Sequence, residues 1–242
     1  MLISIVVPAY NEARGLGASL ASIRRALTAF HARGWRTEII VCDNNSTDET
    51  ACVARKAGAT VVFEAVNQIA RARNAGARAA SGTWLVFVDA DSHPSEALLA
   101  DVARAIADGR IVAGGATLTM GPAPVAARVA VRAWNLVSRV NRWGAGSFVF
   151  CSAELFRSLG GFSGDLFAAE EIEFFRRVKR AARASGGRVL ILARHPLLTS
   201  DRRARLYTWR ELAPLAWRFV RAGRRALRSP AVCAVWYDGR RE

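Results

Sequence analysis

The chain has 242 residues, 52% of them hydrophobic, which is enough for one large α/β core and excludes a disordered or disulfide-stapled chain. Its four cysteines, Cys42, Cys52, Cys151 and Cys233, lack paired metal-type spacing, which argues against a zinc module and for a reduced, intracellular setting. A formal net charge of +15 points to an anionic partner such as nucleotide phosphate, acidic lipid or nucleic acid, although almost all the positive charge is arginine, with Lys56 and Lys179 the exceptions.

In chain order, residues 2–8 form an apolar run with no basic n-region or cleavage site, so they read as a strand rather than a signal peptide. Leu16, Leu20, Ile23 and Leu27, at three- and four-residue spacing, predict a helix over 13–32. A strand follows at 38–42, then a polar turn at 43–48, where Ser46, Thr47 or Asp48 can cap a helix that runs to about residue 57. Residues 60–64 read as a strand, 69–80 as a helix and 84–88 as a fourth strand. Such alternation implies right-handed crossovers and a mostly parallel sheet covered by helices on both faces.

The fourth strand ends in Asp89-Ala90-Asp91. Side chains at i and i+2 of an extended segment point the same way, and open α/β sheets bind ligands at the carboxyl ends of their strands. Two carboxylates there suit one hard cation, Mg²⁺ or Mn²⁺, while a solvated turn capping the strand is the competing reading. Downstream the pattern predicts a helix over 95–108, a strand over 111–120, a helix over 123–141 and a Gly-rich turn into a strand over 144–151. A short helix at 153–159, a turn at Gly160-Gly161-Phe162, a helix at 170–184 and a strand at 188–193 complete the series. No run of about 18 uncharged apolar residues is present to span a membrane. From Arg202 to Arg241 arginines crowd a segment opposed only by Glu211 and Asp238. Its helical stretch over 207–227 suits contact with an anionic bilayer, or a helix that packs its aromatics on the domain.

Several segments form an ordered set: Val-Pro-Ala-Tyr-Asn-Glu (7–12), Asp-Asn-Asn-Ser-Thr-Asp-Glu-Thr (43–50), Ala-Arg-Asn-Ala-Gly (72–76), Asp-Ala-Asp (89–91), Gly-Gly-Phe (160–162) and Ala-Glu-Glu-Ile-Glu-Phe (169–174). On these, over about residues 2–180, the chain resembles the family 2 glycosyltransferases with the GT-A fold. The resemblance implies a single Rossmann-like, mostly parallel sheet sandwiched by helices. It implies a GT-A domain over 1–200, with a donor-binding half to about residue 94 and an acceptor half beyond it, followed by a basic loop and helix over 201–242. The implied activity is metal-dependent, inverting transfer of a sugar from a UDP- or GDP-sugar to a sugar, lipid or other hydroxyl acceptor, in glycan, cell-envelope or glycolipid synthesis.

The resemblance also implies residue roles. Pro8, Ala9, Tyr10 and Glu12 would lie beside the nucleoside, Asp43 at the base, Arg73 near the diphosphate or uridine, and Asn74 in fixing that loop. Asp89, Ala90 and Asp91 would meet the ribose, metal and diphosphate, with Asp91 the leading metal ligand. His195 is the candidate third ligand, ahead of His93. Glu171 would be the catalytic base, with Glu170 the alternative, because the family commonly has Asp where this chain has Glu171. Gly160, Gly161 and Phe162 would shape the acceptor side, Trp134 or Trp143 could stack on a sugar ring, and Arg202 or Arg203 would close on the diphosphate. The family's Asp-Asp-Gly-Ser is here Asp43-Asn44-Asn45-Ser46, which puts a role for residue 44 in doubt. A polyprenyl-phosphate sugar synthase is the alternative within this class, since His93-Pro94 follows the acidic pair. The alternative of another class is a non-catalytic basic protein binding membrane or nucleic acid; no nucleic-acid motif is present, so none is expected as a partner. The expected location is cytoplasmic, with peripheral contact at the inner face of the membrane through the basic segment.

Overall fold

The computed structural model describes residues 1–200, 227–229 and 233. Four apolar segments become parallel neighbours: β1 (Leu2–Ala9), β2 (Arg36–Asp43), β3 (Thr60–Phe63) and β4 (Trp84–Val88), in the order β3-β2-β1-β4. The sheet continues from β4 through β7 (Phe148–Ser152), β6 (Ile111–Met120), β8 (Arg188–Thr199) and the two-residue β5 (Ser92–His93). Strand β7 runs antiparallel to both of its neighbours and β5 antiparallel to β8, whereas β6 and β8 are parallel to each other. Both sequence halves therefore share one mostly parallel sheet, as expected.

Alternation along β1 splits the core. Ile3, Ile5, Val7 and Ala9 face one layer and Val6 the other. The first layer is closed by α1 (Ala13–Ala26), α2 (Thr28–His31), α3 (Thr50–Lys56) and α5 (Glu96–Ala107), the second by α4 (Ile69–Ala79), α7 (Ala153–Ser158) and α8 (Glu170–Ser185). Helix α4 lies directly on β1 because Gly76 carries no side chain; a Cβ there would stand 2.4 Å from Val6 Cγ1. The remaining helix, α6 (Val125–Asn141), leans on β6.

Two expectations change. The helix expected over 13–32 breaks at Leu27, where the Thr28 hydroxyl donates to the Arg25 carbonyl at 2.8 Å and competes with the helical ladder. The last strand does not stop at residue 193. It runs to Thr199 and pairs Leu197, Leu198 and Thr199 with Leu118, Thr119 and Met120. A register shift lets residues 193–196 bulge past Thr117, which accommodates Pro196 within the strand. Among the described residues no helix is long and apolar enough to cross a membrane.

Candidate active site

The carboxyl ends of β1, β2 and β4 open on one edge of the sheet, and the turns that follow are stitched together. Asn11, at φ 52°, donates its backbone N–H to Ser46 Oγ at 3.0 Å, and its side-chain carbonyl accepts from the Thr47 N–H at 2.8 Å. Asp48 accepts from the N–H groups of Ala13 and Thr50 and so ties the starts of α1 and α3. Pro8 and Ala9 end β1, Tyr10 and Glu12 follow, and Asp43 lies opposite Ala9, where its Oδ1 accepts the Ser46 N–H at 3.1 Å. Asn44 is buried and structural: its amide donates to the carbonyls of Glu64 and Val66 and accepts from the Gln68 N–H. These residues gather where a nucleoside was expected.

Asp89 and Asp91 flank a tight turn closed by the Ser92 N–H on the Asp89 carbonyl at 3.0 Å. Ala90 packs into the core between them, and both carboxylates line a cavity of about 360 Å³. Its other walls include Leu118, Met120, Trp134, Phe167, Glu170, Glu171 and Thr199. Two hard oxygen donors at such a wall suit a divalent cation that completes its shell with water and phosphate oxygens. Asp89 Oδ1 accepts from Arg73 at 3.0 Å. Among the described residues no group of three or more His, Cys, Asp or Glu forms a ready cage.

Arg73 is the centre of the buried electrostatics. Only 2% exposed, it donates from Nη1 to Glu170 Oε1 at 2.6 Å and from Nη2 to Asp89 Oδ1 at 3.0 Å and the Gly146 carbonyl at 2.8 Å. Its guanidinium carbon sits 5.5 Å from the centre of the Phe162 ring. Burial alone would weaken its hold on the proton, but Asp89, Glu170 and Glu171 more than reverse that, and the net shift is upward. Gly146 makes room for this arrangement, since a Cβ there would approach Arg73 Nη2 to 3.1 Å and Glu171 Cδ to 3.5 Å.

Helix α8 starts with Ala169 in the left-handed region, at φ 59°, and places three acids in its first turn, where the helix dipole favours them. They separate by partner. Glu173 pairs with Arg177 at 2.7 Å, and Glu170, itself buried, is committed to Arg73. Glu171 is half-buried in the cavity wall; burial, then the charge of Glu170, raise its carboxyl from 4.5 to about 8, with Arg73 opposing. One carboxyl is thus held as a partner and its neighbour is poised to exchange a proton. Cys233 is buried near Glu170, and its thiol is pushed up by burial and by that carboxylate.

Several expected residues take other places. Arg73, expected at the diphosphate, lines the cavity while bonded to Glu170, Asp89 and the Gly146 carbonyl. Asn74, expected to fix the loop, makes paired bonds from its amide to the backbone of Phe162, donating at 2.8 Å and accepting at 2.9 Å. Gly160, Gly161 and Phe162 support the site from beneath, because Phe162 is buried among Phe87, Phe156 and Phe174. His195 Nδ1 lies 2.9 Å from Asp101 Oδ2 on α5, and His195 is not among the residues of the cavity wall. Trp134 lines the cavity, while Trp143 is covered by Arg176 and Lys179. The place of Gly146 against Arg73 and of Ala168 in the cavity wall was not anticipated; the Gly-Ala-Gly-Ser run at 144–147 was the signal available for the first. Arg202, Arg203 and the stretch expected as helical over 207–227, except Leu227 itself, lie outside the described residues; the Leu227 carbonyl accepts from the Phe167 N–H at 2.7 Å at the cavity rim.

Comparison with known proteins bears on this geometry. The chain is 37% identical over 94 residues to validoxylamine A glucosyltransferase of Streptomyces hygroscopicus subsp. jinggangensis, covering 36% of this chain and 21% of that one. It is 31% identical over 94 residues to the Escherichia coli UDP-Glc:alpha-D-GlcNAc-diphosphoundecaprenol beta-1,3-glucosyltransferase WfgD, covering 37% and 35% respectively. The matched stretch thus spans about a third or less of each relative's length. In fold it is similar to the mannosyltransferase PcManGT of Pyrobaculum calidifontis, solved with GDP-Man and Mn²⁺, at a TM-score of 0.63 and 23% identity over 93% of this chain and 62% of that one. The sheet is that of a GT-A glycosyltransferase. The family model for glycosyl transferase family 2 matches residues 4–163, two-thirds of the sequence and every strand from β1 to β7 that frames the cavity, and the chain belongs to that family.

Proposed function

We propose that the chain transfers a sugar from a nucleoside-diphosphate sugar, UDP- or GDP-linked, to a hydroxyl acceptor with inversion at the anomeric carbon. One observation carries this reading: the Asp89–Asp91 strand end and a half-buried Glu171, raised to about 8, share one cavity. Residues 1–200 act as the transferase domain, with the nucleoside at Tyr10, Glu12 and Asp43. Asp91 and one oxygen of Asp89 would hold Mg²⁺ or Mn²⁺, whose charge offsets the negative charge that grows on the departing diphosphate. The Mn²⁺ and GDP-Man of the Pyrobaculum enzyme and the UDP-glucose in the name of the E. coli enzyme support that class of donor.

Glu171 takes the proton from the acceptor hydroxyl as its oxygen attacks. Glu170, whose Oε1 accepts from Arg73, is the alternative base. Arg73 positions both Asp89 and Glu170 and so fixes the distance between the two ends of the cavity. Trp134, Leu118 and Met120 offer an apolar wall against which a sugar face can lie. Within this class, a lipid-linked acceptor is favoured by the outward apolar face of α6 described below.

The donor half of this reading is tested by thermal shift with a panel of UDP- and GDP-sugars, with and without Mn²⁺. Stabilisation by one nucleotide class, dependent on Mn²⁺ and abolished in Asp91→Asn, is expected. Metal-independent stabilisation, equal in Asp91→Asn, would contradict it.

A further inference from the structure

Helix α6 is amphipathic the wrong way round for a helix packed on a core. Its inner side is held by polar groups: Asn135 bonds both the N–H and the carbonyl of Leu118 at 2.9 Å, and the Ser138 hydroxyl donates to the Trp143 carbonyl at 2.6 Å. Its outer side carries Val125, Val129, Leu136, Val137 and Val140, each between 41% and 74% exposed. At about 100° per residue these five fall within roughly a third of the circumference. Arg128, Arg132 and Arg139 line one edge of that stripe, and all three are exposed. The helix contains no acidic residue.

A second basic group adjoins the end of α6. The Lys179 ammonium, on α8, donates to the Asn141 carbonyl at 2.8 Å, within electrostatic reach of Arg142, Arg176 and Arg183. Such an accumulation of like charge opposes itself unless an anionic surface meets it. An apolar stripe edged by arginine is what an in-plane helix at a charged lipid interface requires, with the apolar side chains among acyl chains and the guanidinium groups at the phosphates.

We infer that α6, with the basic end it shares with α8, docks the protein on an anionic lipid bilayer. The surface adjoins the cavity that holds Asp89 and Glu171. Trp134 of α6 lines that cavity, and a groove of about 460 Å³ lined by Arg128 and Arg132 shares Leu118 and Met120 with it. Resting on the functional reading above, this places the acceptor end of the cavity at the membrane, where an acceptor carried on a lipid phosphate enters along the groove.

The test is co-sedimentation of the full chain with vesicles of phosphatidylcholine alone and of phosphatidylcholine mixed with phosphatidylglycerol, without donor or metal, so that its result is independent of sugar transfer. Wild type is expected to partition onto the mixed vesicles. Val129→Ser/Leu136→Gln/Val140→Ser should weaken that binding about tenfold or more, and each of Arg128→Gln, Arg132→Gln and Arg139→Gln by about fivefold. The nucleotide-sugar thermal shift of the apolar-face variant should equal that of wild type. Mixed-vesicle binding undiminished in both α6 variant sets would overturn the inference and assign attachment to the segment beyond Arg202. So would wild type that binds neither vesicle, or a dimer in solution that the apolar-face variant dissolves, which would make the occupant a second copy of the chain.

Discussion

The division of labour between Glu170 and Glu171 comes from one guanidinium. Arg73 reaches buried Glu170 and partly exposed Asp89 together, so the charge of both acids is compensated, and Glu171 is left to burial and to its neighbour's repulsion. Removing Arg73 leaves those acids uncompensated. Arg73→Met should cost about 3–5 kcal/mol in urea unfolding, and Arg73→Lys should recover only part of it because one ammonium cannot span both carboxylates and the Gly146 carbonyl. A cost within error of zero would show that the buried pairs do not set local stability.

The raised carboxyl of Glu171 has a pH signature with a definite sign. Between its ordinary value of 4.5 and about 8 the folded protein holds this proton more tightly than the unfolded chain, so stability falls as pH rises through that window. Glu171→Gln removes the loss. Its melting temperature should exceed that of wild type by more at pH 8 than at pH 5; a pH-independent difference would mean that Glu171 titrates normally. In wild type kcat/KM should rise with pH toward about 8, since the base must be unprotonated to work.

At the scale of elements, the turn at Gly160-Gly161-Phe162 is a buttress. The Asn74 amide on α4 clamps the Phe162 backbone, and the Phe162 ring lies beneath Arg73. Asn74→Ala should cost about 1–3 kcal/mol by leaving buried backbone groups of Phe162 unsatisfied. It should also lower turnover more than donor affinity, because the amide acts on the charge network rather than on nucleotide. An increase confined to the donor KM would return Asn74 to a donor-binding role. Strand β8 is the element whose extent was least evident: Arg194, His195 and Pro196 interrupt its apolar run, and only pairing with β6 across a bulge carries it to Thr199. The two-residue β5 has no local pattern at all and exists because β8 lies beside it.

For the molecule as a whole, what was legible in the chain followed local rules. Strands β1 to β4 declare themselves by continuous apolar runs, α4 and α8 by their spacing, and the Asp89–Asp91 end by its place after the fourth strand. Partnerships across long sequence separations were not legible. A lone arginine among donor motifs reads as a phosphate ligand, yet Arg73 meets Glu170, 97 residues away, and Gly146, 73 residues away. His195 is likewise claimed by Asp101, 94 residues before it. The outward apolar face of α6 was visible as a Val- and Leu-rich side, but which side faces water depends on Asn135 reaching β6.

The central claim is that Glu171 and the Asp89–Asp91 end are the two working poles of one glycosyl-transfer site. It is met most directly by comparing Glu171→Gln with wild type for sugar transfer from the donor that the thermal-shift panel identifies, in saturating Mn²⁺. Transfer should fall by about 10²–10⁴-fold while that donor stabilises the variant as well as it does wild type. Transfer at the wild-type rate would show that another group accepts the proton and would contradict the account.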